Sequence, residues 1–291
     1  MGAVDPVDDG RFPDFDVSKP NVARVYDAML GGKDNFAADR EFVAEVLRFA
    51  PMAPLGAIAN RQFLQRVMQY LIVEAGITQF IDLGSGLPTQ GNVSEVVHQF
   101  SPRARVVHVD NDPVVYTHSK ALLANAQTTE FVLGDVRSPA EILKDPAVGS
   151  MIDFGQPVGL LLFAILHHLE DSDHLERLMA EWRAAMPSGS YLAISSLRLP
   201  GPDRAEQRAV TIEGEKLMTG FLRPMRWRED SEIRSWFGDW ELIPPGLVPL
   251  GDWRSPTQGC TPYPEVQHSF SGGVAKKRNA ACERETRTRS E

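Results

Sequence analysis

Short apolar runs alternate with amphipathic, helix-like segments through the middle of the chain. Five runs have strand length, and each is followed by the start of a helix: residues 79–83, 105–109, 130–133, 158–163 and 191–196. The fourth run is apolar throughout, which is typical of a parallel strand buried on both faces. Strands that alternate with helices through right-handed crossovers predict a mostly parallel α/β sheet with helices on both sides.

The helices between these strands begin with capping signals. Residues 92–95 (Asn-Val-Ser-Glu) and 138–141 (Ser-Pro-Ala-Glu) both have the spacing of a capping box. Asp112 precedes Pro113, an arrangement in which the carboxylate caps a helix whose first turn contains the proline. These signals predict helix starts after the first, second and third strands.

The residues ahead of the first strand predict three helices. Apolar residues recur at helical spacing from Val22 and stop at Gly31-Gly32. A second helix is expected over about residues 35–49, before Pro51, and a third over about residues 58–74, before Gly76. Together they predict a helical cap on the sheet.

The end of the chain differs from its middle. Apolar runs at 240–243 and 269–275 predict a final antiparallel pair of strands at one edge, and the Gly- and Pro-rich segment 198–227 predicts short helices separated by turns. The last residues are charged and offer little to bury, which favours disorder. The expected organisation is a disordered or extended segment 1–17, a cap 18–76, a core 77–275 with the insertion 198–227, and a disordered tail 276–291.

Composition fits a globular protein and narrows the class of ligand. Of the 291 residues, 43% are hydrophobic and 24% are charged, which is ordinary. The net charge of -9 argues against a nucleic-acid or anionic-membrane surface and favours a small-molecule partner. Cys260 and Cys282 lack metal-type spacing, and residues 1–13 lack the features of a signal peptide, so a cytoplasmic protein is expected. The oligomeric state stays open.

A glycine-spaced turn follows the first strand. Residues 80–86 read Phe-Ile-Asp-Leu-Gly-Ser-Gly. Gly84 and Gly86 have access to backbone angles closed to other residues, so a ligand can lie directly against the main chain at the carboxyl end of this strand. The pattern alone also fits a tight turn, and a nicotinamide fingerprint would need glycine where Thr89 stands. The turn therefore predicts a nucleotide site without naming the nucleotide.

Three segments together resemble a known family. Residues 82–89 (Asp-Leu-Gly-Ser-Gly-Leu-Pro-Thr), 26–35 (Tyr-Asp-Ala-Met-Leu-Gly-Gly-Lys-Asp-Asn) and 166–169 (Leu-His-His-Leu) are similar to an actinobacterial family of class I S-adenosylmethionine-dependent methyltransferases, formerly a domain of unknown function. The resemblance covers residues 18–275. It implies a Rossmann-like, seven-stranded sheet with a reversed last strand, and S-adenosylmethionine bound at the carboxyl ends of the first four strands. It implies no particular acceptor.

Carboxylates at three successive strand ends then form the expected cofactor rim. Asp82 orients the loop or meets the ammonium of the methionine part, Asp110 accepts hydrogen bonds from the ribose, and Asp135 accepts one from the adenine amino group. Such a rim suits a sulfonium with an ammonium better than a pyrophosphate. The predicted cofactor-binding residues of the core are Asp82, Gly84, Ser85, Gly86, Asp110, Asn111, Asp135 and Val136.

The polar loop of the cap has two interpretations. Tyr26, Lys33 and Asn35 either close over the cofactor, with Lys33 near its carboxylate, or belong to a helix end followed by a solvated turn. The family resemblance favours contact with the cofactor. Arg61 on the third helix either serves the same carboxylate or pairs with a surface acid.

Two histidines after the fourth strand are the candidate catalytic residues. His167 or His168 either accepts a proton from the acceptor or packs beneath the loop, and the second interpretation is favoured because methyl transfer proceeds by positioning. A zinc site that combines them with Asp171 and His174 is disfavoured, because no cysteine stands nearby. No metal is expected.

The sequence thus predicts a methyltransferase that uses S-adenosylmethionine and acts on a small molecule. Two alternatives stay open. One is a non-catalytic protein that binds S-adenosylmethionine and regulates another process. The other is an NAD-dependent oxidoreductase, which rests on the fold and on the position of Asp110 alone.

Overall fold

A computed structural model describes residues 16–89, 91–123, 127–219, 224–256 and 268–278. Within these residues the protein is built on an eight-stranded sheet of order β3-β2-β1-β4-β5-β8-β6, with β7 paired to β8 outside this path. The strands are β1 Gln79–Leu83, β2 Arg105–Asp110, β3 Thr129–Leu133, β4 Gly159–Phe163, β5 Tyr191–Leu197, β6 Glu241–Leu242, β7 Val248–Pro249 and β8 Phe270–Lys276.

The first five strands are parallel, and β8 runs antiparallel to its neighbours β5, β6 and β7. This confirms the predicted α/β class with a reversed last strand. The expected count of seven was wrong by one, because two residues of β7 pair with the outer part of β8. The connections leave β1 toward β2 on one side, while β4 lies on its other side. Such a reversal opens a crevice at the carboxyl ends of the strands.

Helices cover both sheet faces and the crevice. Their bounds are α1 Val22–Met29, α2 Ala37–Phe49, α3 Ala53–Gln69, α4 Val93–Phe100, α5 Pro113–Leu123, α6 Pro139–Lys144, α7 Pro146–Met151, α8 Leu175–Ala185, α9 Ala205–Thr219 and α10 Asp230–Ser235. A π-helical turn, Tyr70–Glu74, continues α3. The third predicted helix therefore begins five residues earlier than expected, with Pro54 in its first turn.

Two of the three predicted caps are formed. The Asn92 side chain accepts a hydrogen bond from the Glu95 amide at 3.0 Å, and Asp112 accepts one from the Val114 amide at 2.8 Å. The capping box predicted at 138–141 was wrong, because the Ser138 side chain makes no cap bond. The Ser138 carbonyl instead accepts from the Glu141 amide at 3.1 Å and closes the first turn of α6.

Large buried side chains anchor helices to both faces of the sheet. On one face, Trp182 of α8 packs in a cluster with Trp236 and Phe237. On the other, Phe63 of α3 meets Trp253 edge-on, with ring centroids 5.5 Å apart. Burial of each such side chain stabilises the fold by about 1.5–3 kcal/mol. These contacts hold α3 against the sheet.

A buried ion pair joins the first two helices of the cap. The Nε of Arg24 in α1 lies 2.8 Å from Oδ2 of Asp39 in α2, and both side chains are almost fully buried. Asp39 also accepts hydrogen bonds from the amides of Asn21 and Phe36, each near 2.9 Å. A buried pair whose remaining acceptor positions are also used fixes the geometry of α1 against α2.

Two expectations for the end of the chain were wrong. The insertion 198–227 contains a 15-residue helix, α9, rather than short helices, because a single glycine inside a helix costs only about 1 kcal/mol. The tail does not begin at 276: Lys276 lies in β8, and Lys277 Nζ donates to two carbonyl groups at the end of α8. Residues 279–291 and 1–15 lie outside the described residues.

Among the described helices, no single one is long and apolar enough to cross a membrane. The segments Ala37–Arg48 and Ala53–Glu74 meet that requirement only when they are counted together across a bend of 105°.

Candidate functional site

A cavity of about 470 Å³ lies at the carboxyl ends of the central strands, beneath the cap. This volume falls within the range of about 300–1,000 Å³ that is typical of small-molecule sites. Its walls come from the β1–α4 loop, the end of β2, the segment after β4, helices α1, α3 and α9, and the start of β8. The cavity therefore lies where the strand order reverses, which is the position of the nucleotide site predicted from the sequence.

The β1–α4 loop presents its backbone to the cavity. Gly84 and Gly86 have φ of +70° and +65°, and both line the cavity with Ser85 between them. A Cβ on Gly84 would stand 2.5 Å from Cγ1 of Ile165, whereas one on Gly86 would meet nothing within 4 Å. Ser85 Oγ is buried without a hydrogen-bond partner among the described residues. The loop is thus packed closely at its start and faces open space at its second glycine.

Asp110 clamps this loop from the end of β2. Its Oδ2 accepts a hydrogen bond from the Gly86 amide at 2.8 Å, and its Oδ1 accepts one from the Asp112 amide at 3.0 Å. Asp110, Asn111 and Asp112 all line the cavity. Each oxygen of a carboxylate accepts more than one hydrogen bond, so this arrangement positions Asp110 and leaves it able to accept from a ligand.

Asp82 is held from the neighbouring strand. His108 Nδ1 lies 2.9 Å from Asp82 Oδ2, and both side chains are buried. Asp82 lines the cavity, whereas His108 stands outside it and stacks on Phe131 with ring centroids 4.6 Å apart. The histidine therefore fixes the orientation of a carboxylate that faces the site.

A chain of hydrogen bonds connects the cap to the strand ends. Asn60 of α3 donates to the Tyr26 hydroxyl at 3.0 Å and accepts from the Ser195 hydroxyl at 2.6 Å. Ser195 Oγ in turn accepts from the amide of Ala164, which has φ of +56°. Nearer the entrance of α1, the Asn21 side-chain amide donates to the Asp112 carboxylate. No sequence signal singled out Asn21 or Asn60, because their partners lie 91 and 135 residues away.

Among the described residues that line the cavity, Arg61 is the one lysine or arginine. Its guanidinium donates to the Gly91 carbonyl at 3.1 Å and to Thr89 Oγ1 at 3.4 Å, and its Cζ stands 5.6 Å from the centroid of the Tyr26 ring. Arg61 Nε is buried and has no hydrogen-bond partner among the described residues. The structure thus joins Arg61 to the β1–α4 loop and to the cap.

The polar loop of the cap divides at Asp27. Tyr26 and Asp27 line the cavity, whereas Lys33 and Asn35 do not. Asp27 Oδ2 accepts from the Asp34 amide at 2.9 Å and from Asn35 Nδ2 at 2.8 Å, which folds the loop back onto α1. Lys33 is left exposed to solvent. The fold of the loop therefore turns Lys33 away from the cavity.

Asp135 and Val136 also lie outside the lining of the cavity. Asp135 accepts two hydrogen bonds from the Arg137 guanidinium, at 3.0 and 2.6 Å, and a third from Asn111 at 3.3 Å. Chiefly through the bonds from Arg137, the pKa of Asp135 is lowered to about 2. Val136 is buried in the core, and its carbonyl accepts from Trp182 Nε1 at 2.9 Å. Asp135 is thus connected to the cavity through Asn111, and neither Asp135 nor Val136 lines it.

Both histidines of the 3₁₀ turn Leu166–His168 line the cavity, with ring centroids 4.4 Å apart. His167 is buried, and burial lowers its pKa well below the ordinary value, with a smaller contribution from His168. The Leu197 amide donates to His167 Nδ1 at 3.4 Å. An imidazole that is neutral and accepts at Nδ1 carries its proton on Nε2, so His167 is arranged as a donor toward its surroundings.

A group of mostly apolar residues away from the β1–α4 loop in the chain lines part of the cavity, and we call that part the apolar chamber. Its lining residues come from α2, the α2–α3 junction, α9, the segment 225–227 and the ends of β5 and β8: Val46, Ala50, Pro51, Met52, Ala53, Gly56, Leu197, Val210, Thr211, Gly214, Met218, Met225, Trp227, Ser269 and Phe270. Met218 of α9 packs against the cap cluster that contains Val25 and Val46. The insertion and the cap therefore close the chamber together.

Among the described residues, no three His, Cys, Asp or Glu side chains stand close enough together to hold a metal ion. Apart from the histidines, the charged side chains among the described lining residues are four aspartates and one arginine: Asp27, Asp82, Asp110, Asp112 and Arg61. An acidic lining of this kind suits a cationic ligand group, with one counter-charge for a carboxylate.

Known proteins resemble this chain over most of its length. A crystal structure from Thermobifida fusca, described as a candidate methyltransferase, shares 40% identity, covers 91% of this chain and 97% of its own, and has a TM-score of 0.83. A DUF574 family protein from Streptomyces avermitilis shares 35% identity over 90% of this chain and 99% of its own, with a TM-score of 0.80. An O-methyltransferase family protein from Burkholderia thailandensis, at 14% identity and a TM-score of 0.52, covers 80% of this chain and 62% of its own and shares the fold alone.

No protein of curated function matches the chain. The sequence profile of the S-adenosyl methyltransferase family matches residues 9–278, nearly the whole chain. This match and the two relatives above confirm the family and the activity that the sequence predicted, with the acceptor unidentified. The chain belongs to the S-adenosyl methyltransferase family.

Proposed function

We propose that the cavity binds S-adenosylmethionine at its loop end and a small-molecule acceptor in the apolar chamber. The observation that carries this proposal is the clamp between Asp110 and the Gly86 amide, which joins the glycine loop to the end of β2 in the wall of one cavity. When bound, the cofactor supplies an activated methyl group on a sulfonium. The protein supplies binding, orientation and exclusion of water.

Several features of the loop end fit this cofactor. The buried Ser85 hydroxyl has no hydrogen-bond partner among the described residues, and the space beside Gly86 is open. Asp82 and Asp110 would hold the ammonium and the ribose hydroxyls, with Gly84 and Asn111 beside them. Asp27 adds a further carboxylate in the same wall. An acidic wall favours a cation and disfavours a pyrophosphate.

For the carboxylate of the methionine part, Arg61 is a better candidate than Lys33. Arg61 lines the cavity between the β1–α4 loop and Tyr26, and its Nε has no partner among the described residues. A planar guanidinium suits bidentate recognition of a carboxylate. Lys33 and Asn35 would affect the cofactor only through the loop that they belong to. Asn35 donates a hydrogen bond to Asp27, whose carboxylate lines the cavity from the cap.

For the adenine, the candidate residues stand at the ends of β2 and β3. Asp135 and Val136 stay the candidates at the end of β3, but Arg137 already occupies both oxygens of Asp135. Asn111, which lines the cavity and donates to Asp135 at 3.3 Å, would bridge the adenine and ribose ends. If Asp135 accepts from adenine, Asp135→Asn should weaken binding of S-adenosylmethionine and spare binding of methionine alone.

The methyl transfer itself requires little acid-base chemistry from the chain. Holding donor and acceptor in line gains on the order of 7–11 kcal/mol of the barrier. His167, as a neutral imidazole that donates from Nε2, would orient an acceptor oxygen rather than remove its proton. His168 lines the same wall and is the remaining candidate for proton transfer.

Calorimetric titration of the full chain with S-adenosylmethionine, S-adenosylhomocysteine and NAD tests the proposal. We expect both sulfur nucleotides to bind and NAD to give no heat of binding. Asp110→Ala should weaken the binding of S-adenosylhomocysteine at least tenfold, because the Gly86 amide and the ribose hydroxyls both lose their hydrogen-bond acceptor. Asp203→Ala is the matched control, since Asp203 is exposed and stands outside the cavity. Binding of NAD alone would replace the proposal with an oxidoreductase.

A non-catalytic S-adenosylmethionine-binding protein would give the same titrations. Release of S-adenosylhomocysteine with candidate acceptors separates the two, because only a methyltransferase consumes the cofactor in proportion to the acceptor. Continued absence of turnover in the presence of acceptors that bind the chamber would favour the binding protein.

A further inference from the structure

We propose that the acceptor is an uncharged aromatic compound that bears a ring hydroxyl and binds in the apolar chamber. This inference rests on the proposed function, whose site it completes. The one-sided distribution of charge carries it: the aspartates and Arg61 line the loop end, whereas none of the fifteen residues of the apolar chamber is an Asp, Glu, Lys or Arg.

Among the described residues that line the chamber, none is an ionic partner for a charged acceptor. Transfer of an ionised carboxylate or ammonium from water into apolar surroundings is unfavourable unless an opposite charge or several hydrogen bonds replace the lost hydration. The polar side chains that the chamber offers are Thr211 and Ser269, with His167 and His168 in the adjoining wall. Those groups match one or two neutral hydrogen-bonding groups, such as a hydroxyl.

The chemistry of the walls favours an aromatic body over an aliphatic one. Met52, Met218 and Met225 bring thioether sulfurs to the chamber, and Trp227 and Phe270 bring rings. Sulfur and ring edges both make favourable, adaptable contacts with an aromatic ligand. Methionine side chains are flexible and adapt to ligands of different shape, so a planar ring system can bind without a preformed pocket.

Phe270 relates the chamber to the histidines. Its ring meets that of His167 edge-on, with centroids 6.1 Å apart, and a Cβ on Gly56 would stand 3.2 Å from its Cε2. The Phe270 ring therefore lies between the start of α3 and His167. A ring bound beside Phe270 brings its hydroxyl toward the histidine wall, which adjoins the loop end through Ala164 and Ile165.

The chamber has a lip that reaches the surface. Met52 at the α2–α3 junction and Val210 on α9 both line the cavity, and they are 44% and 52% exposed. Met52 belongs to the cap and Val210 to the insertion. An acceptor would enter between them, and their exposure allows substitution by lysine with little effect on folding.

Three probes of matched size test the class of acceptor: 1-naphthol, 1-naphthoate and decahydro-1-naphthol. Each is titrated by calorimetry into the full chain saturated with S-adenosylhomocysteine at pH 7.5. We expect 1-naphthol to bind at least tenfold more tightly than 1-naphthoate and at least threefold more tightly than the saturated alcohol. Equal or tighter binding of 1-naphthoate would overturn the uncharged class, and equal binding of the saturated alcohol would overturn the aromatic one.

Substitutions locate the binding. Val210→Lys and Met52→Lys should each weaken the binding of 1-naphthol at least tenfold and leave the affinity for S-adenosylhomocysteine unchanged. Ile212→Lys is the control, because Ile212 lies on the same helix, is 39% exposed and stands outside the cavity. If both lip variants bind 1-naphthol as the native chain does, the chamber is not the acceptor site. Titration of 1-naphthol into the chain without nucleotide does not depend on bound S-adenosylhomocysteine. It therefore distinguishes a wrong acceptor site from a wrong cofactor assignment.

Discussion

Asp82 and His108 face each other across neighbouring parallel strands, with His108 Nδ1 2.9 Å from Asp82 Oδ2 in a buried pair. Only Asp82 reaches the cavity; His108 lies behind it, stacked on Phe131. Both residues belong to strands of the sheet, so their hydrogen bond holds the Asp82 carboxylate in a fixed position at the site. Its orientation is thus set before any ligand arrives.

Replacing His108 with Phe keeps the stacking surface and removes the donor to Asp82. A buried carboxylate oxygen then loses its partner, and we expect the free energy of unfolding to fall by about 1–3 kcal/mol. Urea unfolding measures it. The double-mutant cycle with Asp82→Asn should give a coupling of about 0.5–3 kcal/mol. Additive effects would show that the pair contributes no interaction of its own.

The two loop glycines should respond differently to alanine. Gly84→Ala introduces a positive-φ alanine and a clash with Ile165, so unfolding should become easier by about 2 kcal/mol or more. Gly86→Ala incurs only the backbone cost of about 1 kcal/mol, and its methyl group enters the open space where the cofactor is proposed. Adding Ile165→Ala to the Gly84→Ala variant removes the clash and should recover part of the lost stability. Equal losses at both glycines would contradict the packing difference.

His167 should make the protein sensitive to mild acid. Its folded-state pKa lies well below 6.5, so the unfolded chain takes up a proton before the native protein does. Stability is therefore complete above pH 6.5 and falls as the pH drops below it, by at most about 1.4 kcal/mol per pH unit for one group. His167→Gln should show a shallower decline between pH 6.5 and 5.5. Parallel curves for the two proteins would exclude a buried neutral histidine.

The pair between Asp135 and Arg137 should act at lower pH. The pKa of Asp135 is lowered to about 2, so its contribution is complete above about pH 4 and is lost as the pH falls toward 2. Arg137→Gln should cost less than about 1 kcal/mol near neutrality, because Arg137 is half exposed and solvent screens the pair. The difference from the native chain should shrink below pH 4. A constant difference down to pH 2 would assign it to packing instead.

Local signals predicted the sheet and the glycine loop well, because both are encoded by neighbouring residues. The apolar run 79–83 became β1 without change, and Asp110, the last residue of β2, lines the cavity. Such positions follow from the parallel topology alone. A strand end fixes where a side chain stands, whatever the rest of the chain does.

Contacts that depend on the docking of the cap were less accessible from sequence. Lys33 was expected over the cofactor, but Asp27 folds its loop back, and Arg61 lines the cavity instead. Asp135 stands where its strand predicts, yet Arg137, two residues later, occupies its oxygens. In both cases local hydrogen bonds that the pattern of strands and helices does not specify set the surroundings of the side chain.

The bonds from Tyr26 through Asn60 to Ser195 give the sharpest test of how the cap is held over the sheet. Asn60→Ala removes the middle member and leaves two hydroxyls without this partner, so stability should fall by about 1–3 kcal/mol. Tyr26→Phe removes a hydroxyl that bonds to Asn60 and, at 3.3 Å, to the Ala57 carbonyl, but it leaves the bond between Asn60 and Ser195 in place and should cost less.

If the chain of bonds acts as a unit, Tyr26→Phe adds little in the Asn60→Ala background, and amide hydrogen exchange in α1 rises in both variants. Ser172→Ala is the control, since Ser172 is exposed and bonds only to Glu170 nearby. Unchanged exchange in α1 would mean that the Arg24–Asp39 pair and the apolar contacts hold the cap without Asn60.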